Sequence, residues 1–201
     1  MVKREMLSMS VHIVDEKIEL DPKKYIVSKT DTEGVIEYAN DYFMEVSGYK
    51  ETELVGEPHS IVRHPDMPKI IFKIMWDRLE DGKNIYAIVK NRAKDGRYYW
   101  IITDFEANLD KVTNKPISYV AYRQSASDKI VAEIEPLYEK LIHLEQNGGM
   151  ESSEKYLNGY LEEKGKNYDD YMESLIGKGK GMAKKVFSGV KSIFKRKKKE
   201  A

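Results

Sequence analysis

"KYIVSKTDTEGVIEYAND", residues 24–41, reads as a hairpin that feeds a helix. A short apolar strand is followed by the turn residues Asp31 to Gly34, and a second strand, Val35 to Tyr38, alternates with period two. Asn40 or Asp41 then stands where a helix needs an N-cap, ahead of "DYFMEVSGY", with Gly48 as the stop. Working outward, "KETELVG" gives another helical turn closed by Gly56. "DMPKIIFKIMWDRLEDG" carries apolar residues at helical spacing, with Asp66 as the expected cap and Gly82 as the stop. Three β-rich runs follow in "NIYAIVKNRAKDGRYYWIITDFEANLD" and "KPISYVAYRQSA", with Lys94-Asp95-Gly96 as a tight turn and Thr113 to Lys115 as a looser one. Two strands, short helices and three more strands predict an α+β domain: a five-stranded antiparallel sheet with short helices on one face.

Beyond that domain the expectation is helical. "SDKIVAEIEPLYEKLIHLEQ" is a capped helix with Pro136 inside it, expected to bend it, and "NGG" at 147–149 to end it. A second helical segment, 153–177, is interrupted by Gly159 and Gly165, which lower helix propensity. The organisation is thus an N-terminal extension (1–23), a mixed domain of strands and short helices (24–126), a following helix (127–147), the helical segment 153–177, and a tail (178–201). The tail is a different object from the rest. It carries ten basic residues and one acid, although the 201-residue chain is neutral overall.

Composition excludes several kinds of chemistry. With no cysteine, the chain forms no disulfide, thiolate metal site or cysteinyl adduct. No Gly-rich nucleotide fingerprint, nucleophile motif, kinase segment or cyclase segment is present, and "GKGKG" lacks the ending of a phosphate loop, so no enzyme is expected. Neither a secretory leader nor an uninterrupted apolar run of about 18 residues is found, which leads to the expectation of a cytoplasmic protein.

"PHSIVRHPDMPK", residues 58–69, concentrates two histidines, an arginine, an aspartate and three prolines. Arg63 offers a forked guanidinium suited to phosphate or another anionic group. His64 can donate or accept at a ring edge, and Asp66 can fix either neighbour. A structural, ion-paired loop is the alternative for the three. A metal held by His59, His64 and Asp66 is disfavoured because one rigid loop rarely wraps a metal alone, and haem ligation is disfavoured as well.

"SKTDTEGVIEYANDYFMEVSGY", "LVGEPHSIVRHPDMP", "IVKNRAKDGRYYW" and "EIEPLYEKL" resemble, in order and spacing, the flavin-binding PAS domains of the bacterial aerotaxis-receptor family, over about residues 25–142. The resemblance implies a PAS fold, FAD as cofactor, and a role in redox or energy taxis. It further implies that Asn40, Arg63, His64, Asp66, Trp76 and Asn91 contribute to flavin binding or signalling. One departure stands out: the family places a tryptophan before "KNR", where this chain has Ile85 and Tyr86. A lost stacking surface of about 0.5–1.5 kcal/mol corresponds to up to about tenfold weaker FAD.

The resemblance also implies a partner, a separate transmembrane methyl-accepting chemoreceptor, as in bipartite energy-taxis systems. A homodimer is a further expectation; nucleic-acid binding is not expected. Met182, Val186, Val190, Ile193 and Phe194 can share one face of a tail helix, with Lys184, Lys185, Lys191 and Lys195 on the other. That pattern suits an anionic membrane surface through 182–199; a solvated tail is the alternative. The competing functional reading is a PAS interaction adaptor without cofactor.

Overall fold

The computed structural model describes residues 12–177, so the expected amphipathic tail lies outside the described residues. Five strands form one antiparallel sheet: β1 (Ile26–Thr30), β2 (Ile36–Ala39), β3 (Ile85–Arg92), β4 (Tyr98–Leu109) and β5 (Pro116–Ser125). Their order is β2-β1-β5-β4-β3. Chain-consecutive hairpins thus flank a central junction where β1, the first strand, pairs with β5, the last. Between the two groups run α1 (Asp41–Ser47), α2 (Glu51–Leu54), a 3-10 turn (His59–Val62) and α3 (Lys69–Glu80).

Asn40 fixes the entry into α1. Its Oδ1 accepts the Phe43 N–H at 3.1 Å and the Val27 N–H at 2.9 Å, while its Nδ2 donates to the Tyr25 carbonyl at 2.8 Å. One side chain therefore caps the helix and stitches it to β1. Gly48 ends the helix with a left-handed φ of 71°, a conformation in which a side chain is disfavoured.

α3 begins at Lys69 with Pro68 at the N-cap and no local side-chain cap, which corrects the expectation for Asp66. The chain turns through Pro65 and Pro68 before the helix starts, and the Asp66 carboxylate is drawn to Lys90 Nζ at 3.0 Å. The acceptors for the first α3 amides come instead from Glu145, far along the chain: the Lys69 and Ile70 N–H groups each donate to its carboxylate at 2.9 Å.

The C-terminal helices fold back on the domain. α4 (Asp128–Glu163) starts at a Ser127 cap and continues through Pro136; the break in its helical backbone is Gly149, at φ 72° and ψ 179°. The helix also passes Gly159. Gly165, at φ 61°, lies between α4 and α5 (Tyr168–Ile176), so the expected 153–177 segment is the end of one helix and all of another. Tyr138 on α4 donates its hydroxyl to the Ile88 carbonyl at 2.7 Å and stacks at a tilt on Trp100, on the outer face of the sheet. Ile134, Leu141, Leu157 and Met172 are buried with the sheet and α3 residues in a single core.

Asn40→Ala removes the α1 cap and leaves the Val27 amide without its side-chain acceptor. The expected loss is about 2 kcal/mol of unfolding free energy, read as a lower urea midpoint at unchanged slope. A change below about 0.5 kcal/mol contradicts the stitching role given to Asn40.

Candidate functional site

Strand parity builds the site. Ser28 and Thr30 of β1, Val89 and Asn91 of β3, Thr103 and Phe105 of β4, and Tyr119, Ala121 and Arg123 of β5 all point to the inner face of the sheet, because side chains alternate along each strand and the register aligns them. With α3 and the 58–63 segment they enclose a cavity of about 260 Å³. That volume lies just under the range of about 300–1,000 Å³ common for small-molecule pockets.

Backbone pairing places the opening segment at this cavity. The Ile36 N–H donates to the Glu57 carbonyl at 2.9 Å and the His59 N–H to the Gly34 carbonyl at 2.9 Å, so residues 57–59 extend the first hairpin. Further on, Arg63 forms a backbone bridge with Asn91. His59 and Arg63 thereby come to opposite sides of the cavity wall formed by this segment. Gly34 is held closely: a Cβ there would stand 3.0 Å from the Trp76 ring, and its φ is +83°.

Arg123 dominates the polar floor. The residue is 3% exposed; its guanidinium donates to Ser28 Oγ at 2.8 Å and stands 2.8 Å from His59 Nε2. A guanidinium only donates, so Nε2 of His59 is an acceptor and the ring is neutral with its proton on Nδ1. Burial first, then the Arg123 charge, lowers the His59 pKa to about 3. Burial lowers that of Arg123 itself to about 10. Among the described residues Arg123 forms no ion pair with a carboxylate; the one carboxylate on the cavity lining is the exposed Glu33. Across the floor, the fully buried Thr103 hydroxyl has no hydrogen-bond partner among the described residues. A buried cation with no carboxylate partner among the described residues favours acceptor atoms and negative charge beside it.

The walls are apolar. Trp76, with Tyr119 edge-on at 5.7 Å, and Phe72, Met75 and Leu79 from the same helix form one side. Arg63 lies with its guanidinium 4.0 Å from the centre of the Phe72 ring.

The comparisons with known proteins bear on this architecture. The family profile described as PAS fold matches residues 36–123. Over 137 residues the chain is 41% identical to the aerotaxis receptor of Escherichia coli strain K12. The chain carries a PAS domain of the aerotaxis-receptor family. The aligned region is 67% of this chain and 26% of that receptor, so the chain spans about a quarter of this relative's length. A second relative, the bacterioopsin transcriptional activator of Halobacterium salinarum, is 26% identical over 55% of the chain and 16% of its own length. Among solved structures, a light-oxygen-voltage domain studied with a flavin analogue superposes with a TM-score of 0.50 at 21% identity, covering 58% of this chain and 88% of that one. This last likeness is one of fold.

Within the PAS domain, Arg63, Trp76 and Asn91 line the cavity, and Asn40, His64 and Asp66 do not. Asn40 caps α1. His64 is 1% exposed, accepts the Asp66 N–H on Nδ1 at 3.1 Å, and has no partner for Nε2 among the described residues. Burial, then Lys90, lowers its pKa to about 4. Asp66 pairs with Lys90, whose ammonium lies over Tyr98 and Trp100 on the outer face of the sheet. Ile85 is buried within the core and Tyr86 faces outward, so neither residue at the family's tryptophan position lines the cavity. Sequence reasoning missed Ser28, Thr103 and Arg123, and considered His59 only as a metal ligand. The available signal was the alternation Tyr119, Ala121, Arg123, which puts an arginine on the same face as two core residues.

The neutral histidines give a pH dependence. Each folded pKa, about 3 for His59 and about 4 for His64, lies below the ordinary 6.5. The unfolded chain therefore binds more protons between these values and 6.5. Their contribution is complete above pH 6.5 and is lost as pH falls through that window, with a slope of up to about 1.4 kcal/mol per pH unit for each histidine. His59→Gln should flatten urea stability against pH below 6.5 relative to the unsubstituted chain; parallel curves would contradict a neutral His59.

Proposed function

We propose that this PAS domain is a redox sensor that holds FAD, with the isoalloxazine ring in the cavity and the phosphates toward Arg63. The observation that carries this reading is Arg123: a buried guanidinium bonded to Ser28 and His59 and facing a cavity with no buried carboxylate. Kinship with the aerotaxis receptor and the fold shared with a light-oxygen-voltage domain support a flavin over other flat anionic ligands. Flavin supplies a redox centre whose reduction adds negative charge and a proton to its ring.

The chain's own residues respond to that charge. Arg123 offsets negative charge on a ring edge in a site where water does not screen it. Asn91 and Thr103 offer hydrogen-bonding groups from neighbouring strands, and the Thr103 hydroxyl, unpartnered among the described residues, is available to a ligand. Trp76 and Tyr119 provide aromatic surface. His59, kept neutral by burial and then by the Arg123 charge, holds the guanidinium in place.

The state of the site is passed to a transmembrane methyl-accepting chemoreceptor through the C-terminal helices, with the basic stretch 182–199 meeting an anionic membrane surface. Among the described residues no helix is long and apolar enough to cross a membrane. A sensory rather than catalytic role agrees with the receptor to which the domain is related.

Titration of the full chain with FAD, FMN and riboflavin, followed by quenching of flavin fluorescence, tests the reading. Arg123→Gln should weaken all three by tenfold or more. Arg63→Ala should weaken FAD more than riboflavin, which has no phosphate. His64→Gln should leave affinity within about threefold, since His64 does not line the cavity. Failure of the unsubstituted chain to take up any flavin, or equal affinity in Arg123→Gln, contradicts the assignment.

A further inference from the structure

α3 is a shared wall. One side lines the cavity with Phe72, Met75, Trp76 and Leu79. Its ends and middle are bound by the C-terminal helices at three levels. At the N-terminus, Glu145 accepts the Lys69 and Ile70 amides, each at 2.9 Å. One turn on, Lys73 stands 3.6 Å from Glu154. Near the C-terminus, Arg78 pairs with Asp169 at 2.8 Å.

Of the three, Glu145 holds the most. Pro68 offers no side-chain cap, so the Glu145 carboxylate supplies the acceptors that the first α3 amides lack locally. The break at Gly149 turns the second half of α4 back, which brings the fully buried Ser153 to 3.2 Å from the same carboxylate. The first half of α4 is fixed separately, by the Tyr138 bond to β3. Glu145 thus stands at the junction between a fixed half-helix, a folded-back half-helix and the cavity wall. Arg63, also on the cavity lining, lies close enough for the Glu145 charge to act on it.

We propose that Glu145 is a positioning residue that couples the cavity to the C-terminal helices. A ligand that shifts or stiffens α3 changes how firmly the Glu145 cap holds residues 150–163, and loosening of the cap frees this segment to meet a partner. The coupling is reciprocal: docking of 150–163 alters ligand affinity by the same factor as the ligand alters docking. The docked and released arrangements of 150–163 are the two states such coupling requires. The ligand arm of this proposal rests on the flavin reading; the cap itself does not.

Hydrogen exchange of the full chain tests it, with FAD as the ligand probe and Trp76→Ala as a perturbation of the cavity wall that needs no ligand. Glu145→Gln keeps the shape of the side chain and removes its charge and one acceptor, and should speed exchange over 150–163 by about tenfold or more. In the unsubstituted chain, FAD should slow exchange there severalfold and Trp76→Ala should speed it. Both responses should disappear in the Glu145→Gln background, which a merely structural loss of a cap does not produce. If the chain takes up no FAD, the flavin reading fails and Trp76→Ala alone decides the coupling. Exchange over 150–163 that ignores Trp76→Ala, or responds equally in both backgrounds, overturns the proposal.

Discussion

A guanidinium buried without a carboxylate is the constraint on which the site depends. Desolvating a charge costs several kcal/mol unless bonds replace the lost water, and Arg123 recovers only part through the Ser28 hydroxyl and the His59 ring. The neutrality of His59 follows, as does the position of the 57–59 segment that delivers it. A charge kept in this condition leaves the cavity floor positive, and an anionic ligand lowers the free energy of the whole arrangement.

Around that charge the fold places rigid walls. Asn40 ties α1 to β1, and Phe43 of α1 stacks on His59 with ring centres 5.6 Å apart. Gly34 lets the first hairpin approach the Trp76 ring more closely than a residue with a side chain allows. The cavity is therefore framed by a hairpin turn, a helix and four strands, β1, β3, β4 and β5, and the strands' relative positions are set by backbone hydrogen bonds. α3 is the exception: its N-terminus is held by a side chain, Glu145, from outside the PAS core. The wall that gives the cavity Phe72, Met75, Trp76 and Leu79 is also the one tied to the C-terminal helices.

What was legible in the sequence was local. The first hairpin, the Asn40 cap, the Gly48 stop, the turn at Lys94 to Gly96 and the interruption at Gly149 each depend on residues within a few positions of one another. Asp66 was expected to cap α3 for the same local reason. The actual acceptor is 76 residues from Lys69, beyond the reach of any spacing rule. Arg63, His64 and Asp66 read as one constellation, but the turn between two prolines sends Arg63 to the cavity, His64 into the core and Asp66 to Lys90. The Arg123, Ser28 and Thr103 floor needed the strand order and register, because the three residues come from β5, β1 and β4 and meet only after β1 pairs with β5.

Whether the cavity holds a flavin in the purified protein decides between a redox sensor and a domain for another ligand. The direct measurement is the visible absorption spectrum of freshly isolated full-length chain, followed by denaturation and chemical identification of what is released. Oxidised-flavin bands that bleach on dithionite, traced to FAD, are the predicted result. A colourless protein that stays colourless after incubation with excess FAD would contradict it, and would leave Arg123 facing a ligand of another class.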